Sequence, residues 1–146
     1  MKKILIGIVC LAALTACKDD DENPKPEENL LLGVWKKERI ITISGMDNTT
    51  VLDEETPDAC DEKSTYEYTS DGKYIVEAYS TTNQGCVYEP STQNYTYNKS
   101  ENKLTVGNQT ADVLELTSNK LVVFVPDHYD YNNDGVDDYL KYTFVK

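Results

Sequence analysis

The sequence is poor in the side chains on which most enzymes and nucleic-acid-binding proteins depend. It contains a single histidine and four cysteines, and 26 acidic residues outnumber 14 basic ones, which gives a net charge of −12. Phosphate binding needs clustered lysines and arginines, so this charge argues against a nucleic-acid partner. The chain also has no glycine-rich phosphate loop and no zinc-ligand pattern. Paired acids such as those in 53–55 are more typical of a solvated surface than of a glycosidase, and we expect no enzymatic activity.

The one long hydrophobic run lies at the N-terminus. Residues 4–14 are apolar, follow two lysines and are too few to span a bilayer, as in the centre of a signal peptide. The run ends in Leu14-Thr15-Ala16-Cys17, which resembles the lipobox of bacterial lipoproteins. The resemblance implies that residues 1–16 are removed and that Cys17 carries acyl chains such as palmitate, which anchor the chain to a membrane.

Residues 17–30 join this anchor to the rest of the chain. The segment from Lys18 to Asn29 has six acidic residues, two prolines and no apolar residue, so we expect it to be a flexible tether. The acidic run after Cys17 resembles the export signal of surface-exposed lipoproteins in one group of Gram-negative bacteria. That resemblance implies an outer-membrane lipoprotein on the cell surface. The alternative is a plain acidic linker on a lipoprotein that faces the periplasm.

The two remaining downstream cysteines, Cys60 and Cys86, are predicted to form a disulfide. Cys10 leaves with the signal peptide and Cys17 takes lipid, which leaves an even number of thiols in an oxidising compartment. The pair lies 26 positions apart, so a bridge would contribute about 3 kcal/mol on the loop-entropy model. The alternative, a metal held by both thiols, lacks nearby ligands because His128 is far along the chain.

Residues 31–146 show the alternation of β-strands and no convincing amphipathic helix. Short runs with a period of two are separated by turn residues. The predicted strands are 31–44, 64–70, 73–81, 92–98, 103–107, 109–117, 120–125 and 138–146. Long loops are expected over 45–63 and 126–138. Consecutive short strands predict an all-β antiparallel barrel or sandwich, and closure into a barrel would remove exposed strand edges.

The order of several motifs resembles the lipocalin-like domains of secreted bacterial lipoproteins. Those domains run from a lipobox and a Gly-x-Trp element through two cysteines, an aspartate-glycine turn and a tyrosine-rich strand. The matching residues here are Cys17, Gly33, Trp35, Cys60, Asp71, Gly72, Cys86 and Tyr95. The resemblance covers about residues 30–146. It implies an eight-stranded antiparallel up-and-down barrel over residues 31–146, with Gly33 and Trp35 at the base of the barrel.

A barrel of this size is either filled by side chains or holds one small ligand. Tyrosine combines an apolar body with a hydroxyl, so the strand tyrosines are candidates for an amphipathic pocket, although tyrosine is also a good strand residue. The candidates are Tyr66, Tyr68, Tyr74, Tyr95, Tyr97 and Tyr142. We therefore expect a small apolar or amphipathic ligand. The alternative is a surface module with a filled core that contacts protein or glycan through loop tyrosines such as Tyr88, Tyr129 and Tyr131.

The segment 130–140 has the spacing of an oxygen-rich calcium loop. Side-chain oxygens recur at positions 1, 3, 5 and 9, with a glycine at position 6 that permits a sharp bend and a backbone carbonyl expected at position 7. The predicted ligands are Asp130, Asn132, Asp134, Val136 and Asp138. Lys141 stands where an EF-hand has its bidentate glutamate, so we expect a structural Ca²⁺ of modest affinity. The alternative is an acidic loop that carries no metal.

Overall fold

The computed structural model describes residues 29–146. The predicted signal peptide, Cys17 and most of the acidic tether lie outside the described residues. The described part contains nine β-strands and a short 3₁₀ helix, η1. The strands are β1 (Gly33–Ile43), β2 (Val51–Glu55), β3 (Thr65–Tyr68), β4 (Lys73–Thr82), β5 (Gly85–Asn98), β6 (Lys103–Val106), β7 (Gln109–Leu116), β8 (Lys120–Pro126) and β9 (Tyr139–Val145), and η1 is Asp61–Lys63. In this part of the chain, no helix has the length and apolar character needed to cross a bilayer.

The first strand closes the barrel because both of its edges are paired. On one edge, Gly33 to Trp35 pair with β3. On the other edge, β1 pairs with β9 from Lys36 opposite Val145 to Ile43 opposite Tyr139. The pairs from β3 to β9 are all between consecutive antiparallel strands. β1 and β3–β9 thus form the closed eight-stranded antiparallel barrel that the sequence predicts.

The segment 45–63 differs from the predicted long loop. It contains β2, which pairs with the C-terminal part of β1, from Ile40 opposite Glu55 to Ile43 opposite Val51. It also contains η1, which precedes β3. The strand β2 could not be predicted from alternating apolar and polar residues, because three of its five residues are acidic and four are exposed. Backbone pairing with β1, rather than burial of an apolar face, defines this strand.

Inward-facing side chains from the strands form one core. Its buried members come from the segment before β1 and from β1, β3, β6, β7, β8 and β9. They are Leu31, Trp35, Tyr68, Leu104, Ala111, Val113, Leu121, Val123 and Phe144. The alternation breaks at Glu38 in β1 and at Leu114 in β7, where the pairing register shifts by one residue. These bulges rotate the following residues to the other face, as an extra residue in a strand must.

The two ends of the barrel carry different connections. The end called here the base holds residues 29–32 and the β3–β4, β5–β6 and β7–β8 turns. The opposite end, called the mouth, holds the β4–β5 and β6–β7 turns and the β8–β9 loop over 127–138. Because strands alternate in direction, every second connection falls at the same end.

The β4–β5 hairpin extends beyond the wall of the barrel. β4 pairs with β5 from Lys73–Asn94 to Thr82–Gly85, whereas β6 pairs only with the last residues of β5. The outer edge of residues 85–93 therefore has no neighbouring strand among the described residues. Pro90 lies in this stretch, and the backbone alternation places its nitrogen on that open edge, where a missing N–H breaks no pairing with β4.

Candidate functional site

Aromatic rings fill the middle of the barrel. The ring centroid of Tyr66 lies 5.1 Å from that of Phe144 and 6.5 Å from that of Tyr74, and Tyr68 lies 4.7 Å from Tyr74. Tyr142 continues the group at 6.0 Å from Phe144. Burial raises the pKa of Tyr68, Tyr74 and Tyr142 above the ordinary phenol value. These rings form an uncharged aromatic core.

The predicted tyrosine pocket therefore needs correction. Tyr68 is a buried member of the core, and Tyr66, Tyr74 and Tyr142 are partly buried and pack against it. The sequence could not distinguish rings that line a space from rings that fill it. None of these four tyrosines lines the cavity at the base described next.

Tyr95 and Tyr97, the other two candidates, line a cavity of about 780 Å³ at the base. Its wall includes residues of the β3–β4 turn, the β5–β6 turn, the end of β7 and the segment before β1. Apolar surface comes from Leu30, Val113 and Leu116, and polar surface from the two tyrosines and neighbouring side chains. The volume lies within the range of small-molecule sites, but the cavity is open to solvent and about half of its surface is polar, whereas such sites are mainly apolar.

The two cavity tyrosines differ in hydrogen bonding. The Tyr95 hydroxyl donates to the carbonyl of Thr69 at 2.9 Å, so this ring is fixed to the β3–β4 turn. Tyr97 also lines the cavity, but no hydrogen bond fixes its ring to a neighbouring turn in the way that Tyr95 is fixed. Glu115, at the rim, is paired with Lys120 at 2.8 Å. Lys99, which also lines the cavity, takes part in a further side-chain interaction.

The sequence interpretation missed the apolar part of this cavity. Val113 and Leu116 belong to one predicted strand, and strict alternation would have put them on opposite faces. The bulge at Leu114 brings both to the inside, where Val113 pairs with Val123 and Leu116 with Leu121. The neighbouring apolar residues Val113 and Leu114 were the signal in the sequence, because adjacent apolar residues break the period of a half-buried strand.

Trp35 lies near the base of the barrel, at the start of β1. Its side chain is fully buried, and its indole N–H donates to the carbonyl of Leu31 at 2.8 Å. The Lys146 ammonium lies 4.4 Å from the centre of the Trp35 ring and also donates to the carbonyls of Leu30 and Leu32. Gly33 has a φ of +113°, a conformation that glycine adopts without strain.

An ion pair between Lys37 and Asp61 lies on the inner side of β1. The Lys37 ammonium lies 2.9 Å from a carboxylate oxygen of Asp61 in η1 and 5.9 Å from the centre of the Tyr66 ring. Burial acts to lower the pKa of Lys37, but the hydrogen bond to Asp61 and the neighbouring Tyr66 outweigh it, so the pKa is raised. Lys36 donates to the carbonyls of Glu62 and Lys63. The pair and these bonds hold η1 against β1.

Cys60 and Cys86 form the predicted disulfide, with their Cα atoms 5.4 Å apart. The bridge joins the segment before η1 to the protruding end of β5. The same segment is fixed to β4 by the Thr81 hydroxyl, which donates to Asp58 at 2.6 Å. This contact and the N–H groups of Cys60 and Asp61 hold the pKa of Asp58 below its ordinary value.

The β8–β9 loop contains the predicted calcium ligands. The Asp130 carboxylate accepts hydrogen bonds from the backbone N–H groups of Asp134, at 3.1 Å, and Gly135, at 2.8 Å. Asn132 donates through its side chain to Asp134 at 2.8 Å, and the N–H of Val136 donates to Asp134 at 2.9 Å. Gly135 has a φ of +89°, so the bend expected at position 6 is present. The loop brings Asp130, Asn132 and Asp134 together.

Asp138 has a different place from the other predicted ligands. Its side chain is fully buried, and its two oxygens accept hydrogen bonds from the N–H groups of Gly45, at 2.9 Å, and Tyr131, at 2.7 Å. Within residues 29–146, no three His, Cys, Asp or Glu side chains are arranged to hold a metal ion. The oxygen donors of this loop are of the types that bind Ca²⁺. Asp138, however, uses both of its carboxylate oxygens to accept hydrogen bonds from backbone N–H groups.

Three tyrosines near the mouth are exposed. Tyr129 and Tyr131 are 60% and 46% exposed, and their ring centroids lie 4.7 Å apart. The Tyr131 hydroxyl donates to Asp127 at 2.6 Å, and this carboxylate raises the pKa of Tyr131 to about 12. Tyr88, on the protruding hairpin, is 48% exposed and lies 5.0 Å from Tyr79.

Comparison with known proteins gives a family match and similar solved structures. The family model described as a lipocalin-like domain matches residues 31–123, which is more than half of the chain. The solved structure of the bovine lipocalin allergen Bos d 2 is similar at 16% identity over 80% of this chain and 73% of that chain, with a TM-score of 0.45. A deswapped triple mutant of bovine odorant binding protein is similar at 14% identity over 80% and 74%, also with a TM-score of 0.45. No curated protein is significantly similar in sequence. The matched segment, together with the closed barrel, shows that this chain belongs to the family of lipocalin-like domains.

Proposed function

We propose that this chain is a non-enzymatic binding protein that holds a small apolar or amphipathic ligand. The observation that carries the proposal is the cavity of about 780 Å³ lined by both apolar side chains and tyrosines. A site of this size and mixed surface suits a small amphipathic molecule. Membership of the lipocalin-like family is consistent with a binding protein rather than an enzyme.

Native mass spectrometry of residues 18–146, exported through the periplasm of a Gram-negative host, tests this function. Every strand pairing and the disulfide lie within this range, so it contains the whole barrel. A small adduct that survives purification and disappears after denaturation and refolding supports a bound ligand. A bare polypeptide mass that no small amphiphile changes would contradict the proposal.

We propose that the protein is localised to the outer membrane, where acyl chains on Cys17 anchor it. The lipobox and the acidic run that follows it support this proposal. Mass spectrometry of the N-terminal peptide from cells should find acylated Cys17, and Cys17→Ser should abolish the modification. Added protease should degrade the protein on intact cells if it is displayed at the surface, and only after permeabilisation if it faces the periplasm.

We also propose that the β8–β9 loop binds a structural Ca²⁺ through Asp130, Asn132, Asp134 and the carbonyl of Val136. The spacing of these oxygen donors and the bend at Gly135 support it. Asp138 then contributes by fixing the loop rather than by binding the metal. When bound, the ion would neutralise the charge of Asp130 and Asp134.

A second candidate function, a module that contacts protein or glycan, is favoured by the exposed tyrosines at the mouth. Tyr129, Tyr131 and Tyr88 present large aromatic surfaces, and a filled aromatic core needs no ligand for its stability. Replacing Tyr129 and Tyr131 with serine would abolish retention on an immobilised partner under this alternative. It would leave binding of a small amphiphile in the cavity unchanged.

A further inference from the structure

Building on the proposed anchoring through Cys17, we infer that the base of the barrel faces the membrane and that the acidic mouth points away from it. The partner of the base is the headgroup layer of the bilayer that holds the acyl chains. Three features carry this orientation: the place where the chain towards Cys17 leaves the barrel, the length of that chain, and the distribution of charge between the two ends.

The chain towards Cys17 leaves the barrel at a fixed point on the base. Leu31 is fully buried, and its carbonyl accepts the indole N–H of Trp35 at 2.8 Å. The Lys146 ammonium donates to the carbonyls of the residues on either side of Leu31, at 3.0 and 2.8 Å. The beginning and the end of the described chain are thus joined at the base, and this end lies nearest to the anchor.

The length of the connecting chain favours the same orientation. Asn29 follows Cys17 by twelve positions. A flexible chain of twelve residues has an end-to-end distance of about 20 Å and a fully extended length of about 40 Å. The eight residues of β7 alone extend about 26 Å, and the β4–β5 hairpin adds height at the mouth. With the mouth against the membrane, Asn29 would stand above the whole barrel, and the chain would have to stretch beyond its average extension.

Charge is distributed unequally between the two ends. The part towards the base comprises residues 29–36, 66–73, 98–103, 112–121 and 144–146. It contains six lysines and five acidic residues, whereas the other described residues contain four basic and fifteen acidic ones. An anionic bilayer surface repels negative charge over a Debye length of about 8 Å. The nearly neutral base can therefore approach such a surface, and the mouth is repelled from it.

The exposed tyrosines at the mouth favour the opposite orientation, because tyrosine is also common at membrane interfaces. Tyr129 and Tyr131 lie among carboxylates, however. The Tyr131 hydroxyl donates to Asp127 at 2.6 Å, and Asp130 and Asp134 belong to the same loop. Contact of these rings with an anionic bilayer would bring the three carboxylates to its surface, so charge opposes what the rings favour.

Two exposed turn residues at opposite ends of β7 provide a matched pair of labelling sites. Asn108 precedes β7 at the mouth, and Ser118 follows it at the base. Asn108→Cys and Ser118→Cys, each in the acylated chain with its disulfide intact, receive the same maleimide fluorophore. The chains are placed in vesicles of phosphatidylcholine and phosphatidylglycerol that contain an acceptor-labelled lipid. Energy transfer should be at least about twofold stronger from the site at 118, because β7 separates the two sites by about 26 Å.

Each other outcome has a distinct meaning. Equal transfer would show that the domain tumbles on its tether, and stronger transfer from the site at 108 would show that the mouth faces the membrane. Either result overturns the orientation and leaves the anchoring standing. The Cys17→Ser chain should not float with the vesicles. Failure of the parent chain to float with them would contradict the anchoring itself.

A second pair of variants tests the contribution of charge. Asp53→Lys with Glu55→Lys reverses two exposed acids of β2 beside the mouth, and Asp71→Lys with Glu101→Lys makes the same change in net charge in two turns at the base. In anionic vesicles, the first pair should lower the transfer ratio between the two labels towards its value in pure phosphatidylcholine. The second pair should not lower the ratio. An equal loss in both would overturn the role of charge distribution.

Discussion

A carboxylate oxygen of Asp138 accepts a hydrogen bond from the backbone N–H of Gly45 at 2.9 Å, across 93 positions of the chain. The other oxygen accepts from Tyr131 in the same loop as Asp138. The carboxylate therefore joins the end of β1 to the β8–β9 loop at the mouth. Gly45 also lies so close to the backbone of Asp137 that a Cβ would collide with the carbonyl oxygen. This contact requires glycine for reasons of space rather than of φ.

Replacement of Asp138 should be strongly destabilising. Asp138→Ala removes the buried carboxylate that accepts from two partly buried backbone N–H groups, and each unsatisfied donor costs about 1–3 kcal/mol. Urea unfolding should therefore show a loss of about 2–6 kcal/mol. Asp137→Asn is the control, since that side chain is 63% exposed, and it should change the free energy of unfolding by less than about 0.5 kcal/mol. Equal stability of both variants would mean that Asp138 does not hold the loop.

The disulfide should contribute about 3 kcal/mol to the free energy of unfolding. A reductant should lower the urea midpoint of the parent protein, because the unfolded chain then gains the freedom of the loop between Cys60 and Cys86. The double variant Cys60→Ala and Cys86→Ala should have the lower midpoint in either condition. An unchanged midpoint of the parent on full reduction would contradict this prediction.

Alkaline pH should destabilise the barrel through its buried tyrosines. Burial raises the pKa of Tyr68 and Tyr74, and the pKa of Lys37 is also raised. Above about pH 10 the unfolded chain releases protons that the folded chain keeps, so the free energy of unfolding falls as the pH rises. Below that pH the contribution is fully present.

Urea unfolding at several pH values from about 8 to 11 measures this dependence. The variant with Tyr68→Phe and Tyr74→Phe should lose part of the slope above about pH 10, since phenylalanine has no proton to release. A slope that is identical in parent and variant would show that these two phenols ionise in the folded state as they do in the unfolded one.

Calcium should raise the stability of the parent and not that of Asp130→Asn. For a dissociation constant of about 10⁻⁵ to 10⁻³ M, 10 mM Ca²⁺, at roughly 10 to 1,000 times that constant, stabilises by about 1.4–4 kcal/mol. Asp137→Asn removes the same charge outside the predicted ligand set and should keep the response. Thermal unfolding with calcium and with chelator gives the comparison. A parent that melts at the same temperature in both would exclude the calcium site.

Removal of the Lys146 ammonium should loosen the base of the barrel. Lys146→Met keeps an aliphatic chain near Trp35 but loses the cation–π contact and the hydrogen bonds to two backbone carbonyls. We expect a loss of about 1–3 kcal/mol. The fluorescence of Trp35, the single tryptophan, reports unfolding directly. Lys141→Met is the control, because Lys141 forms no ion pair within residues 29–146, and it should change stability by less than about 0.5 kcal/mol.

Alternating runs made the barrel strands predictable from sequence. In β9, alternation places Tyr142 and Phe144 on one face, and Phe144 is buried with Tyr142 packed beside the core. Alternation says nothing about strands whose side chains are exposed on both faces. β2 and the first part of β5 are largely exposed on both faces. They are strands because their backbones pair with a neighbour, β2 with β1 and β5 with β4. Pro90 argues against a strand in this part of β5, because proline has no N–H to donate to a neighbouring strand. Its nitrogen lies on the open edge of the hairpin, so no pairing with β4 is lost.

The candidate site was predictable only in part, for a geometric reason. Residue type identified Tyr95 and Tyr97 as possible ligand contacts, and the structure places both in the cavity. The same reasoning selected Tyr66 and Tyr74, which pack against the core and do not line this cavity. Whether a ring lines or fills a space depends on the rings opposite to it, and those belong to strands distant in sequence. The bulge at Leu114, which turns both Val113 and Leu116 inward, likewise depends on how β7 pairs with β8.

Closure between the first and last strands has a consequence for how the chain folds. The pairing of Lys36 with Val145 joins residues from opposite ends of the domain, and the ring is incomplete until β9 has docked. Contacts so distant in sequence are formed late and slowly, in milliseconds to seconds for comparable β-proteins. Until then, β1 and β8 expose unpaired edges that can bind other extended chains. Deletion of residues 139–146 should therefore yield an aggregating chain rather than a smaller barrel.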